Sequence, residues 1–248
     1  MASKTKKPTS RKPRPKKKTR NRRTLFGFLW RFCLAVFCLV TFVPLALLLL
    51  YRIEGVHPIS TLMIHDRLVG PGAERQWVDF EDISPHIYRS VLSSEDGKFC
   101  SHDGVDWEAL NSVIEDAIDG ERTRGASTIT MQLVKNLFLW PDRSFLRKGL
   151  EIPYALMAET VLSKKRIMEI YLNIAELDNG VFGVEAAAQN YFKRSAKSLG
   201  PGQSALLTVT LPNPKKRNAA MPSRGMNRLA GIIRKRARAS GAYIKCLQ

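Results

Sequence analysis

The chain has 248 residues, with 40 Lys and Arg against 22 Asp and Glu, for a net charge of +18. Residues 1–23 hold twelve of the basic residues and residues 213–248 hold ten, with no acid in either stretch, so residues 53–212 are left mildly acidic. That distribution excludes a nucleic-acid-binding core, and the length allows one core of ordinary size plus appendages.

Residues 1–24 read as a disordered basic arm, since a Lys- and Arg-rich stretch broken by Pro8, Pro13 and Pro15 cannot bury enough apolar surface to fold. An uncharged apolar run follows, Phe32 to Tyr51, between Arg31 and Arg52. Twenty helical residues span about 30 Å, one hydrocarbon thickness, so residues 25–52 are predicted to form a transmembrane helix. Pro44 is tolerable there. Leu47–Arg52 offers no small-x-small cleavage site, which favours an uncleaved anchor over a signal peptide. The basic arm before the span puts the N-terminus in the cytoplasm and residues 53 onward outside, with anionic headgroups as the arm's partner.

Residues 53–86 read as an extended lead-in, with β-like pieces at Thr61–Ile64 and Gln76–Val78 around Gly70-Pro71-Gly72. Helical patterning then takes over. Ser84-Pro85 opens a helix carrying Ile87, Val91 and Leu92. Asp106 caps a second, with Trp107, Leu110, Val113 and Ile114 in register, and Ser127 or Thr128 caps a third, with Ile129, Leu133 and Val134. Leu146–Ile174 reads as helix interrupted near Pro153, with Lys164-Lys165-Arg166 on solvent. Val184–Phe192 and Gln203–Leu211 follow, and residues 215–248 form a basic tail with amphipathic spacing at Leu229, Ile232 and Ile233. The folded module, 53–214, is mostly α. Cys100 and Cys246 would face an oxidising compartment. They could pair there, but two cysteines so far apart make no framework, and a buried free thiol at Cys100 is the favoured reading.

Three polar blocks carry the chemistry. The first is Glu95-Asp96-x-x-Phe99-x-x-His102-x-Gly104. The second is Gly125-x-Ser127-Thr128-x-Thr130-x-Gln132-x-x-Lys135-Asn136, and the third is Arg147-Lys148-x-x-Glu151. Phe99 reads as packing and His102 as a hydrogen-bonded strut. Glu95 and Glu151 are carboxylates able to take a proton, and spacing alone leaves their roles symmetric. Hydroxyls at a helix start, Gln132 and Lys135 on one face, and Arg143, Arg147 and Lys148 make a cradle for phosphate oxygens. A simple capped helix and a Lys148–Glu151 surface pair are the plainer readings of the same residues.

In order and spacing, these blocks resemble the peptidoglycan glycosyltransferase family. So do Lys165-Arg-Ile-Met-Glu169-x-Tyr171-Leu172-Asn173, Gly183-x-x-x-Ala187-Ala188-x-x-Tyr191-Phe192 and Leu211-Pro212-Asn213-Pro214. The stretches from Trp140 and Asn173 are similar to its monofunctional, membrane-anchored members. The resemblance implies a lysozyme-like helical lobe with a small membrane-facing jaw. It implies Glu95 as the base for the 4-hydroxyl of lipid II, with Glu151 near the donor pyrophosphate. Lys135, Arg143, Arg147 and Lys148 would clamp the pyrophosphate, and Asp96, Ser127, Thr128, Gln132 and Asn136 would contact substrate. No cofactor is required, although a divalent cation (Mg or Mn) at Glu151 is compatible with the pattern. The implied partners are lipid II, the growing glycan strand, the bacterial inner membrane, and other wall-synthesis or division proteins. Ala126 and Met131 depart from the pattern, the second at the expected cost of one amide contact. A lytic wall-cleaving enzyme and a non-catalytic membrane scaffold are the competing readings. The basic cluster speaks against the first, because a glycosidic leaving group bears no pyrophosphate.

Overall fold

A computed structural model describes residues 22–120, 125–142 and 144–248. The basic arm up to residue 21 and the candidate Arg143 lie outside the described residues. Helix α1, Arg22–Tyr51, contributes to two compact units, one ending at Val43 and the other running from Pro44 to Gln248. In the first unit, Phe28, Trp30, Phe37 and Phe42 are exposed. An apolar helix that buries so little calls for a lipid solvent, and Phe26–Tyr51 is long enough to cross a bilayer.

The second unit takes in the last turns of α1, where Leu48 is fully buried. A helix end leaves its final carbonyls unsatisfied. Arg166 satisfies the last of them, its Nε donating to Tyr51 O at 2.8 Å, and it holds the turn that follows, Nη2 donating to Ile53 O at 3.0 Å and Val56 O at 2.6 Å, while Nη1 donates to Glu169 at 2.8 Å. Arg166 is therefore only 5% exposed, not on solvent as its basic neighbours led the sequence reading to expect.

The lead-in is helical at Thr61–Ile64, where strand was expected, and Gln76–Val78 is irregular, the strand falling just before it. Helix α2, Thr61–Val69, starts because Ser60 Oγ accepts from Met63 N at 3.0 Å, a cap that outweighs the β-branched start. Thr61 Oγ1 donates to Leu139 O at 2.5 Å, fastening α2 to the end of the helix that carries the second polar block, Ile129–Phe138. Strand β1, Glu74–Arg75, runs parallel to β3, Val181–Phe182, which pairs antiparallel with β2, Glu176–Asp178. Gly183, at φ +82°, follows β3, and a Cβ there would lie 2.7 Å from Asn173 O, so the turn demands glycine.

The remainder is helical: α3 (Pro85–Glu95), α4 (Trp107–Ile118), α5 (Ile129–Phe138), α6 (Phe145–Val161), α7 (Lys164–Ile174), α8 (Val184–Phe192), α9 (Pro201–Thr210) and α10 (Arg224–Arg238). Every residue of α7 from Arg166 to Ile174 is buried, which makes it the central rod. The break between α6 and α7 falls at Leu162-Ser163, where Ser163 caps α7, and not at Pro153. Pro153 forfeits one bond within α6 without ending it. Helix α4 buries none of its residues and leaves Trp107, Ile114 and Ile118 exposed.

The C-terminal segment is not a loose tail. Met226, Ala230 and Ile233 of α10 pack on Ala205 and Val209 of α9. Buried Ile244 and Leu247 then seat the last residues, and Cys246 forms a disulfide with Cys100, Cα atoms 5.5 Å apart. The expected free thiol at Cys100 is thus overturned by tertiary packing that the apolar spacing of the tail only hinted at. A crosslink closing 146 residues restricts the unfolded chain strongly. Cys246→Ser is expected to cost about 2–5 kcal/mol, read by chemical denaturation against the oxidised wild type.

Candidate active site

The end of α3, the loop before α5, the first turns of α6 and Leu211-Pro212 enclose a cavity of about 760 Å³. It gathers Glu95, Ser127, Gln132, Lys135, Arg147, Lys148 and Glu151, residues from all three polar blocks. Gly125, Ser144 and Phe145 also line it. Phe145 is fully exposed, an apolar rim that polar-block reasoning passed over.

Glu95 closes α3 and is partly exposed. Ser94 Oγ donates to its Oε1 at 2.9 Å and Gln132 Nε2 to its Oε2 at 3.3 Å. Behind Gln132, Tyr171 of α7 donates its hydroxyl to the amide oxygen at 3.0 Å. Burial, with the negative charges of Glu95 and Asp96, pushes the Tyr171 phenol well above its ordinary range. It therefore stays a donor and fixes the amide so that its NH₂ faces Glu95. Tyr171→Phe removes a bond worth about 1 kcal/mol. If that bond orients the carboxylate, kcat/KM falls roughly fivefold, and steady-state kinetics with the melting temperature as control would show it.

Asp96 turns the other way. It is buried, accepts from Ile129 N at 2.9 Å, and has both oxygens 3.0 Å from His102 Nε2. Gly104 N donates to His102 Nδ1 at 3.1 Å, so Nδ1 is the acceptor and Nε2–H is left to donate to Asp96. Adjacent helix-end residues face different directions, and Asp96 ties the end of α3 to the start of α5 instead of lining the cavity. Thr128 is likewise buried. It caps α5, accepting from Met131 N at 3.1 Å, and donates to Gly104 O at 2.6 Å. Gly104, at φ +91°, also lies close against α6, where a Cβ would sit 2.8 Å from Ala155 O. Asn136 lies outside the lining, and its carbonyl accepts from Thr61. Met131 is fully buried in the core, so its departure from the family pattern removes no contact from the cavity.

The cationic side is built on α6. Ser144 caps it, accepting from Arg147 N at 3.2 Å, and helical spacing brings Arg147, Lys148 and Glu151 together. Glu151 is only 2% exposed. One oxygen pairs with Arg147 Nη1, the other with Lys148 Nζ at 2.7 Å. Lys148 Nζ also donates to Ser127 Oγ at 2.6 Å, and Arg147 Nε to Asp142 O at 2.6 Å. A buried carboxylate thus holds two cations in place, and with Lys135 the cavity has three positive side chains among the described residues. Both oxygens of Glu151 being engaged, and no group of three metal-ligating side chains gathering among the described residues, a divalent cation would find a poor donor set there.

Residues 63–237 match the family model described as Transglycosylase. The chain is 57% identical over 215 residues to the biosynthetic peptidoglycan transglycosylase of Brucella suis biovar 1 (strain 1330), covering 87% of this chain and 96% of that protein. It is 55% identical over 208 residues to the protein of that name in Rhizobium meliloti (strain 1021), covering 84% and 88%. A third, from Mesorhizobium japonicum, is 51% identical over 229 residues, covering 92% and 97%. The chain belongs to the transglycosylase family.

Proposed function

We propose that this member of the transglycosylase family is a peptidoglycan glycosyltransferase. It polymerises lipid II into β-1,4-linked glycan strands with inversion at the anomeric carbon, releasing undecaprenyl pyrophosphate. The observation that carries this reading is the single cavity in which one partly exposed carboxylate, Glu95, shares a wall with Lys135, Arg147 and Lys148. A glycosidase needs an acid and no such cationic set, since its leaving group carries no pyrophosphate.

In the reaction, the acceptor 4-hydroxyl oxygen forms a bond to the anomeric carbon while the bond from that carbon to the pyrophosphate oxygen breaks. Glu95 takes the hydroxyl proton. The leaving pyrophosphate gains charge, which Lys135, Arg147 and Lys148 stabilise in a partly desolvated site. Glu151 holds Arg147 and Lys148 at that position, and Gln132 orients Glu95. Direct displacement needs no protein nucleophile and, with three cations in the wall, no cofactor.

The apolar helix α1 fits a substrate that is itself anchored in lipid. The charge asymmetry around it supports a single pass of the bacterial inner membrane with the N-terminus cytoplasmic and the cavity periplasmic. Exposed Trp107, Ile114 and Ile118 on α4 and Phe145 on the rim suit a membrane-facing jaw. The growing strand and other wall-synthesis or division proteins complete the expected partners. The test is incubation of detergent-solubilised full-length protein with labelled lipid II. Lysozyme-sensitive polymer with stoichiometric undecaprenyl pyrophosphate is the expected product, and unchanged lipid II under conditions where a bifunctional synthase is active would refute the assignment.

A further inference from the structure

A second cavity, of about 300 Å³, opens where the first turns of α3 and α9 meet the last turns of α10. Arg89, Arg234 and Arg238 line it with His86, Ser90 and Pro201, and no carboxylate does. Nε of Arg89 is buried with no hydrogen-bond partner among the described residues. Three guanidinium groups around so small a space repel one another, and a buried donor left unbonded costs free energy. Both penalties vanish when an anion enters.

Two helix starts reinforce the same polarity. His86 lies in the first turn of α3 and Pro201 opens α9, helices of 11 and 10 residues, so the positive ends of both dipoles border the cavity, facing the negative C-terminal end of α10, which its own Arg234 and Arg238 offset. Gly200, the cap residue of α9, has no side chain to accept from the first-turn amides. The donor count indicates the anion. Each guanidinium offers up to five N–H donors in a planar fork, and one carboxylate has only two oxygens and one charge. A phosphate group offers three or more oxygens and up to two charges, which matches a three-arginine setting. We infer that this cavity is a second anion site, separate from the catalytic cavity, that takes a phosphate-bearing ligand, either free or as a lipid headgroup.

Arginine labelling reads the site directly. Full-length protein in neutral-lipid nanodiscs is treated with phenylglyoxal with and without inorganic phosphate, and labelled peptides are mapped by mass spectrometry. Phosphate is expected to slow labelling of Arg234 and Arg238 several-fold, and in Arg89→Gln that protection is expected to fall. Chloride at the same ionic strength is expected to protect neither. A parallel arm replaces free phosphate by nanodiscs containing phosphatidylglycerol. Protection there identifies a lipid headgroup as the source, and protection by inorganic phosphate alone identifies a soluble ligand; either outcome supports the site. Equal labelling under every condition overturns it, as does protection by chloride or acetate equal to that by phosphate. The readout is independent of polymerisation, so it stands or falls separately from the activity.

Discussion

Glu95→Gln is expected to lower the rate of glycan polymerisation by about 10²–10⁴-fold, the usual contribution of a positioned general base, with little change in thermal stability. The two halves of that expectation come from different contacts. Glu95 is partly exposed at the end of α3, and it accepts from its neighbour Ser94 and, at 3.3 Å, from Gln132 of α5. A glutamine of the same shape can still accept from Gln132 through its amide oxygen and donate its NH₂ to the Ser94 hydroxyl, but it cannot take a proton. Asp96→Asn is the informative contrast. Its carboxylate holds Ile129 N and His102 and so joins α3 to α5. That variant is expected to melt earlier, by about 1–3 kcal/mol for a disturbed buried acceptor. Lipid II turnover and melting curves on both proteins separate the roles. If Glu95→Gln turns over normally, the base is elsewhere, and Glu151 becomes the carboxylate to examine.

That adjacent acids differ so sharply shows where sequence reasoning stops. Elements with a local cause were legible: Ser84-Pro85, Asp106 and Thr128 each cap the helix expected of them. The cavity was legible too, as three ordered blocks, because helical spacing alone gathers Arg147, Lys148 and Glu151. Features with a distant cause were not. Arg166 reads as one of three surface cations until the unsatisfied end of α1 is brought against it. Cys100 pairs with Cys246 only because α10 first docks on α9 and returns the chain. Tyr171 looks like one more apolar-face residue of α7, and its hydroxyl gains meaning when Gln132 of α5 meets it. Asp96 and Thr128, which the family resemblance places at the substrate, bond instead to Ile129 N, His102 and Gly104 O and so shape the cavity from behind.

Glu151→Gln should fail in a second way, by losing stability and activity together. Its carboxylate is buried and compensates Arg147, whose side chain is 11% exposed, and Lys148, at 37%. Breaking a buried ion pair by removing one partner costs about 3–5 kcal/mol, because the other charge stays behind. The more exposed Lys148 adds little to that figure. At about 2–4 °C per kcal/mol for a domain of this size, the melting temperature should fall by roughly 6–20 °C. Polymerisation measured well below that temperature should also drop, since Lys148 and Arg147 would no longer be held at the pyrophosphate position. A paired substitution distinguishes a structural role from a chemical one. Glu151→Leu with Arg147→Met replaces the ion pair by apolar side chains and should regain much of the stability. If activity returns with it, the pair serves only the fold. If the protein is stable yet slow, with the loss in kcat, the cations held by Glu151 act on the leaving group in the transition state.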